Sequence, residues 1–280
     1  MNGIMDYWAL LNTLVIMFAL GLSGAKSFAG AHWPLLRSTL GYNLLIPALA
    51  LIIIKTMGWF APETLAAMAM CIAAAGGTSA GAFVTKVKGS PVLAAKLIVL
   101  LLGVSLLAVT VFSQLGWVEL GTLSLGGLTV YLLTITLLPL FIGRGFHRLH
   151  PVMAARWQPW FDRLGSLLVV LLVIALAVRY GREILSGPAE PMIAAALLVF
   201  LFVLPPWLEP EPGCRRTLVL VTLIRNLTLV LSILAVLPQS ATLMPTVLAF
   251  GLFMYLTTAI LVWYWRIHPY KEPQTESAQD

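Results

Sequence analysis

Charge is scarce in this chain. Only 10% of its 280 residues are Asp, Glu, Lys or Arg, against about 25% in ordinary soluble domains. So little charge could not cover the surface of a water-soluble fold of this length. Cysteine is scarcer still, and Cys71 and Cys214 supply neither a disulfide framework nor a metal-ligating set. Histidine is confined to His32, His147, His150 and His268, all in loops or at the ends of apolar runs. The stretch Gly21-Leu22-Ser23-Gly24 has the form of an intramembrane serine protease motif, but that chemistry needs a base within hydrogen-bond reach of the serine. No carboxylate pair, phosphate-cradling loop or dinucleotide fingerprint is present. These absences argue against an enzyme and imply no cofactor. Basic residues outnumber acidic ones, 17 to 11, yet they stand singly or in pairs and not in a stripe among exposed aromatics. That spacing argues against nucleic acid as a partner, and nothing in the pattern points to a protein partner.

What the chain has is apolar length. Hydrophobic residues make up 60%, and they recur in runs of about 20, enough to cross a hydrocarbon layer of roughly 30 Å. The runs predict an all-α polytopic membrane protein with spans at 7–23, 33–55, 62–87, 91–114, 122–143, 161–179, 190–207, 215–237 and 241–265. Its solvent is the lipid bilayer. Helices are expected throughout, because lipid-exposed backbone must satisfy its own hydrogen bonds. The first run lacks a basic leader and a small-residue cleavage site, and reads as a retained span.

Alternation of the loops sorts the basic residues. One side collects Lys26, Arg37, Lys86, Lys88, Arg144, Arg148, Arg156, Arg163, Arg215, Arg216, Arg266 and Lys271, and the other only Lys55, Arg179 and Arg182. The positive-inside rule then predicts an external N-terminus and a cytoplasmic C-terminus. The compact loops suit a bacterial inner (plasma) membrane. Trp263-Tyr264-Trp265 at the inner boundary, with Trp59-Phe60 and Trp117 at the outer one, reads as aromatic belts.

Two spans are interrupted. The third carries Ala75-Gly76-Gly77-Thr78-Ser79-Ala80-Gly81, and the eighth carries Leu223-Ile224-Arg225-Asn226-Leu227-Thr228. Paired interruptions at corresponding places point to an inverted-repeat transporter with its site at the repeat interface. The expected organisation is a first half, 1–143, with its crossing helix at 62–87, and a basic cytoplasmic connector, 144–160. A second half, 161–266, follows with its crossing helix at 215–237, and then a disordered cytoplasmic tail, 267–280. Glycine pairs also serve simple close packing of helices, which is the alternative for Gly76 and Gly77.

Only Lys96 and Arg225 place charge inside spans, and no acid accompanies them. Arg225 lies about ten residues, roughly 15 Å, into its span. A central arginine costs ~2.5–3.5 kcal/mol on insertion scales, so it must face a cavity, backbone carbonyls or an anion. Two readings stay open: an arginine bonded to the carbonyls of a broken helix, or one that attracts an anionic substrate or stands in for a coupling cation. Lys96 lies about five residues inside its span, from where a long stem can snorkel to the surface; buried, it would be a place for a proton to leave and return.

The sequence resembles the bile acid:sodium symporter family over nearly its whole length. Ile16-Met17-Phe18-Ala19-Leu20-Gly21-Leu22 is similar to the family's early MFxMGL stretch, and Gly76-Gly77-Thr78-Ser79-Ala80-Gly81 with Lys88-Gly89 to its PGGTASN…KG motif. Leu137-Leu138-Pro139-Leu140 resembles the LLP that opens the second half, and Arg225-Asn226-Leu227-Thr228 falls where the family has QNSG. The resemblance implies core and panel domains, two discontinuous helices crossing at mid-membrane, and alternating access for organic anions such as bile acids, pantoate, steroid sulfates or keto acids. Family relatives often have ten spans, and this chain would lack the first.

The departures matter as much. The family's sodium-ligand positions here read Ala80, Gly81, Ala94, Ile98, Val221 and Arg225. A hard cation needs several oxygen ligands, so the resemblance does not carry sodium over. The resulting expectation is that Lys96 and Arg225 occupy the places of the ions and attract a small organic anion. Thr78, Ser79, Asn226 and Thr228 would orient it around a water-accessible guanidinium, and coupling would be to protons at Lys96 or absent. The competing expectations are a non-transporting membrane sensor or assembly subunit, or a carrier of an unrelated solute on the same scaffold.

Overall fold

The computed structural model describes residues 3–22, 38–117, 125–234 and 240–268. The sequence expectations for residues 23–37, which include Lys26, Arg37 and the start of the second span, for 122–124 and 235–237 at the ends of two other spans, and for most of the tail lie outside these residues. All regular structure among the described residues is helical: α1 (Gly3–Leu22), a π-helical turn (Gly41–Leu45) leading into α2 (Ile46–Met57), α3 (Pro62–Ala73), and α4 (Ala80–Val84), which ends in a single 3-10 turn (Thr85–Val87). Then come α5 (Pro91–Gln114), α6 (Leu125–Leu149), α7 (Pro151–Ser186), α8 (Glu190–Trp207), α9 (Pro212–Leu223), α10 (Leu227–Leu234) and α11 (Ser240–Ile267). Four helical segments are each long and apolar enough to cross a membrane: Ser38–Met57, Pro91–Phe112, Glu190–Trp207 and Ala241–Ile267. The described residues are thus all-helical and suited to a bilayer.

Local chemistry places several helix ends. Proline stands in the first turn of α2, α3, α8 and α9, where its missing N–H costs nothing and its fixed φ suits the helix. Gly58 closes α2 in the left-handed region at φ 65°, which a residue without Cβ reaches freely. Both interrupted helices are real breaks. α3 stops at Ala73 and resumes as α4, and α9 stops at Leu223 and resumes as α10.

One expectation is corrected. Residues 144–160 are not a loop: α6 runs on to Leu149, and α7 continues from Pro151 through Pro159 as one 36-residue helix, leaving only His150 between them. Charge in this stretch marks the end of the apolar run and not of the helix, since Arg and Lys are good helix formers. The second crossing helix likewise begins at Pro212, three residues before the expected start.

The helices pack as two bodies. α1, α6 and α7 pack mainly on each other, and α2, α3, α5, α8, α9 and α11 surround the two breaks. Contacts of α7 with α11 and of α1 with α10 join the bodies. α1 and α6 approach most closely at Gly21 and Gly143, where a Cβ on either would collide with the other helix's backbone. The ends of the bundle also sort. Glu190 Oε1 accepts from Ala61 N at 2.7 Å at one end, where Lys55 Nζ also lies over Trp117. At the other, Arg216 donates to Val87 O and His268 O, and Trp207 stacks on Trp265. Residues that the charge pattern groups on one side therefore meet at one end.

Candidate functional site

The two breaks meet. Gly77 N donates to Ile224 O at 3.1 Å and Asn226 N donates to Ala74 O at 2.8 Å, so each interrupted strand of backbone satisfies the other. This is what low-dielectric surroundings demand of non-helical backbone. Gly76 adopts φ 75°, and a Cβ there would lie 2.9 Å from Ile98 O on α5; at Gly77 it would lie 2.6 Å from Arg225 O. Both positions require glycine, the first for conformation and close approach, the second for approach alone.

Four carbonyls at and just beyond the end of α3 find partners. Ala73 O accepts from Ala75 N, Ala74 O from Asn226 N, and Ala75 O from Ser105 Oγ at 2.7 Å. Ile72 O accepts from Arg225 Nη2 at 2.9 Å. The same nitrogen donates to Asn43 O at 2.6 Å, and Nη1 to Asn43 Oδ1 at 2.7 Å. Asn43 O is available because its helical donor would be the N–H of residue 47, which is Pro47. The π-helical turn at Gly41–Leu45 sits over that vacancy, a single-turn irregularity inside the helix. Arg225 Nη2 thus bridges two carbonyls, each released by a helix irregularity. Asn43 is held in turn, its Nδ2 donating to Thr39 O and Thr222 Oγ1. The guanidinium lies 4.0 Å from the centroid of Phe202, a cation–π contact worth more when desolvated.

No acid is needed to balance this charge. α3 and α9 both end at the crossing, at Ala73 and Leu223, and each carboxyl-terminal end carries about −0.5 of an elementary charge. Two such ends together match one guanidinium. Arg225 is 1% exposed. The sequence expectation of a water-accessible guanidinium is therefore corrected for this conformation: protein oxygens hold both terminal nitrogens, and Nε, which has no partner among the described residues, is buried as well.

Of the other expected site residues, Gly76, Gly77, Thr78, Ser79 and Asn226 come together at the crossing, Thr78, Ser79 and Asn226 all buried. Ser79 Oγ lies 3.4 Å from Tyr255 OH. Asn226 Oδ1 accepts from Leu229 N at 3.1 Å and so caps α10. Thr228 stands in the first turn of α10, with its side chain outside the described set. Gly81 on α4 is partly exposed, with Leu20 of α1 3.8 Å from where its Cβ would be. Lys96 is half-buried on α5, two residues before Ile98, whose carbonyl meets Gly76, and takes no part in the bonds that hold the crossing.

Sequence reasoning missed Asn43, Ser105, Phe202 and Met254, whose Sδ accepts from Arg225 N at 3.2 Å. Asn43 did leave a sign: a polar amide four residues before a proline inside an apolar run marks an unfilled carbonyl. Ser105 and Met254 had none, since a lone serine or methionine in a span is ordinary. No protein-family model matches this chain, and no curated protein matches it at a significant level.

Proposed function

We propose that this chain is a membrane carrier, and not an enzyme, that moves a small organic anion such as a monocarboxylate or a sterol- or bile-acid-like anion by alternating access. The observation that carries the reading is the backbone pairing of two interrupted helices, Gly77 with Ile224 and Asn226 with Ala74. Broken helices deep in a membrane protein are the usual construction of a solute site between repeats. The scaffold is nine spans in two inverted halves, with α1, α6 and α7 as the panel and the helices around the crossing as the core. The N-terminus lies outside and the C-terminus in the cytoplasm of a bacterial inner membrane. The resemblance to the bile acid:sodium symporter family supports the same reading.

In this mechanism Arg225 is a covalently tethered substitute for a coupling cation. It neutralises the two helix ends that converge on it and keeps the crossing assembled. Lys96 supplies the accessible positive charge that draws the anion in, and Thr78, Ser79, Asn226 and Thr228 orient it. Arg225 reaches the substrate only in a state that releases Asn43. Transport is then proton-coupled through Lys96 or simply facilitated, without the usual sodium requirement. The test is uptake of radiolabelled monocarboxylates into proteoliposomes with and without sodium and with an imposed pH gradient. Uptake that collapses without sodium would overturn the tethered-cation assignment.

The engagement of both Arg225 terminal nitrogens by protein oxygens favours a second reading, a non-transporting membrane sensor or assembly subunit on the same scaffold. Thermal stabilisation across an organic-anion panel separates the two, because a ligand at a hundredfold excess over its Kd stabilises by about 2.7 kcal/mol. A panel without a single hit supports the second reading.

A further inference from the structure

Arg216, on the first turns of α9, is buried although it is charged. Its Nη1 donates to Val87 O at 2.8 Å, and its Nη2 to His268 O at 3.1 Å. Its guanidinium carbon lies 5.9 Å from the Trp265 ring centroid. One side chain thus ties the end of the 3-10 turn after α4 to the end of α11. That tie sets Lys86, next to Val87, and Arg266, two residues before His268, on adjoining segments, both exposed, with Lys86 Nζ 5.4 Å from the Phe83 ring centroid. Lys88 follows two residues on, exposed and in the left-handed region at φ 56°. Among the described residues no carboxylate pairs with Lys86 or Arg266. Beside them Trp207 stacks on Trp265 with ring centroids 5.7 Å apart, and Trp207 also meets Tyr264. Indole and phenol rings of this kind settle at the headgroup level of a bilayer.

Two like charges on segments that a buried arginine ties together, at the rim of an aromatic belt, lack one component, an anion at headgroup depth. We infer that Lys86 and Arg266, with Lys88 at the edge, form a binding site for the phosphate of an anionic phospholipid, its acyl chains lying along α11. This site is separate from the crossing and does not depend on transport. Fork-like guanidinium and compact ammonium groups are both suited to phosphate. Anionic lipid supplies it as a high local concentration at the membrane surface.

The test uses the full-length protein in nanodiscs of phosphatidylcholine alone and of phosphatidylcholine with graded phosphatidylglycerol, read by thermal unfolding and by native mass spectrometry of retained lipid. The midpoint should rise with phosphatidylglycerol, and lipid adducts should be retained. In K86Q/R266Q the apparent affinity should weaken about thirtyfold, the loss expected for two surface cations. R182Q, at the opposite end of the bundle, should behave as the parent. Midpoints independent of lipid charge would overturn the proposal and assign these cations to the chain's own acidic C-terminal residues. Equal stabilisation by soluble glycerol phosphate would overturn it in favour of a free-anion site. An unchanged response in K86Q/R266Q would also overturn it. Should that variant unfold, R266K retains charge without the fork and should keep most of the phosphatidylglycerol response.

Discussion

Removal of the Arg225 guanidinium should destabilise the protein and make it responsive to an added guanidinium ion. Arg225→Ala strips the partners from three buried acceptors, Asn43 Oδ1, Asn43 O and Ile72 O. Each orphaned acceptor costs about 1–3 kcal/mol, so the three together cost about 3–9 kcal/mol. The two helix ends at Ala73 and Leu223 also lose their neutralising charge. A loss near the middle of that range would lower the thermal midpoint of the purified protein markedly. Millimolar methylguanidinium, far below denaturing concentrations, should restore part of it, while tetramethylammonium at equal concentration should not. Arg225→Lys keeps the charge but cannot span three acceptors with its geometry, and should fall between parent and alanine. Asn43→Ala removes one of the three acceptors, the side-chain Oδ1, and keeps the backbone carbonyl, so its cost and that of Arg225→Ala should be non-additive in a double-mutant cycle. If Arg225→Met were as stable as the parent, the charge would be irrelevant and the dipole argument would fail.

The glycines at the breaks should differ sharply. Gly77→Ala places a Cβ 2.6 Å from Arg225 O and should abolish the folded, monodisperse species in size-exclusion chromatography. Gly81→Ala meets only side-chain atoms at 3.8 and 3.9 Å and should leave the thermal midpoint unchanged. Burial and the neighbouring Glu211 carboxylate push the Cys214 thiol up to about 11, which disfavours the thiolate at neutral pH. Maleimide labelling of the folded protein, with Cys71 buried, should therefore be slow near pH 7 and rise steadily toward pH 11. Glu211→Gln should bring that rise to lower pH; a labelling rate already saturated at pH 8 would contradict the assignment.

Much of the helical plan is readable without coordinates, because apolar run length and the glycine and proline positions act locally. Gly76-Gly77 and Arg225-Asn226 announce their breaks within a few residues. The partnership between them is less readable, since nothing local says that Asn43, 182 residues away from Arg225, supplies two of its three acceptors. The charge balance misled for a related reason. A count of side chains finds no acid near Arg225, but the compensating charge is carried by peptide dipoles that exist only once α3 and α9 end face to face. The helical connector at 144–160 was missed because charged residues leave lipid without leaving the helix.

The guanidinium at the crossing also bears on how the protein meets a changing environment. A dissociable metal ion is shared with the surrounding fluid, and its occupancy rises and falls with that fluid's composition. A charge bonded to the polypeptide is neither washed out by dilution nor displaced by a competing alkali metal. The junction of the two breaks should hold its shape equally in dilute and briny media, and that constancy would be built in during synthesis instead of being collected from the surroundings.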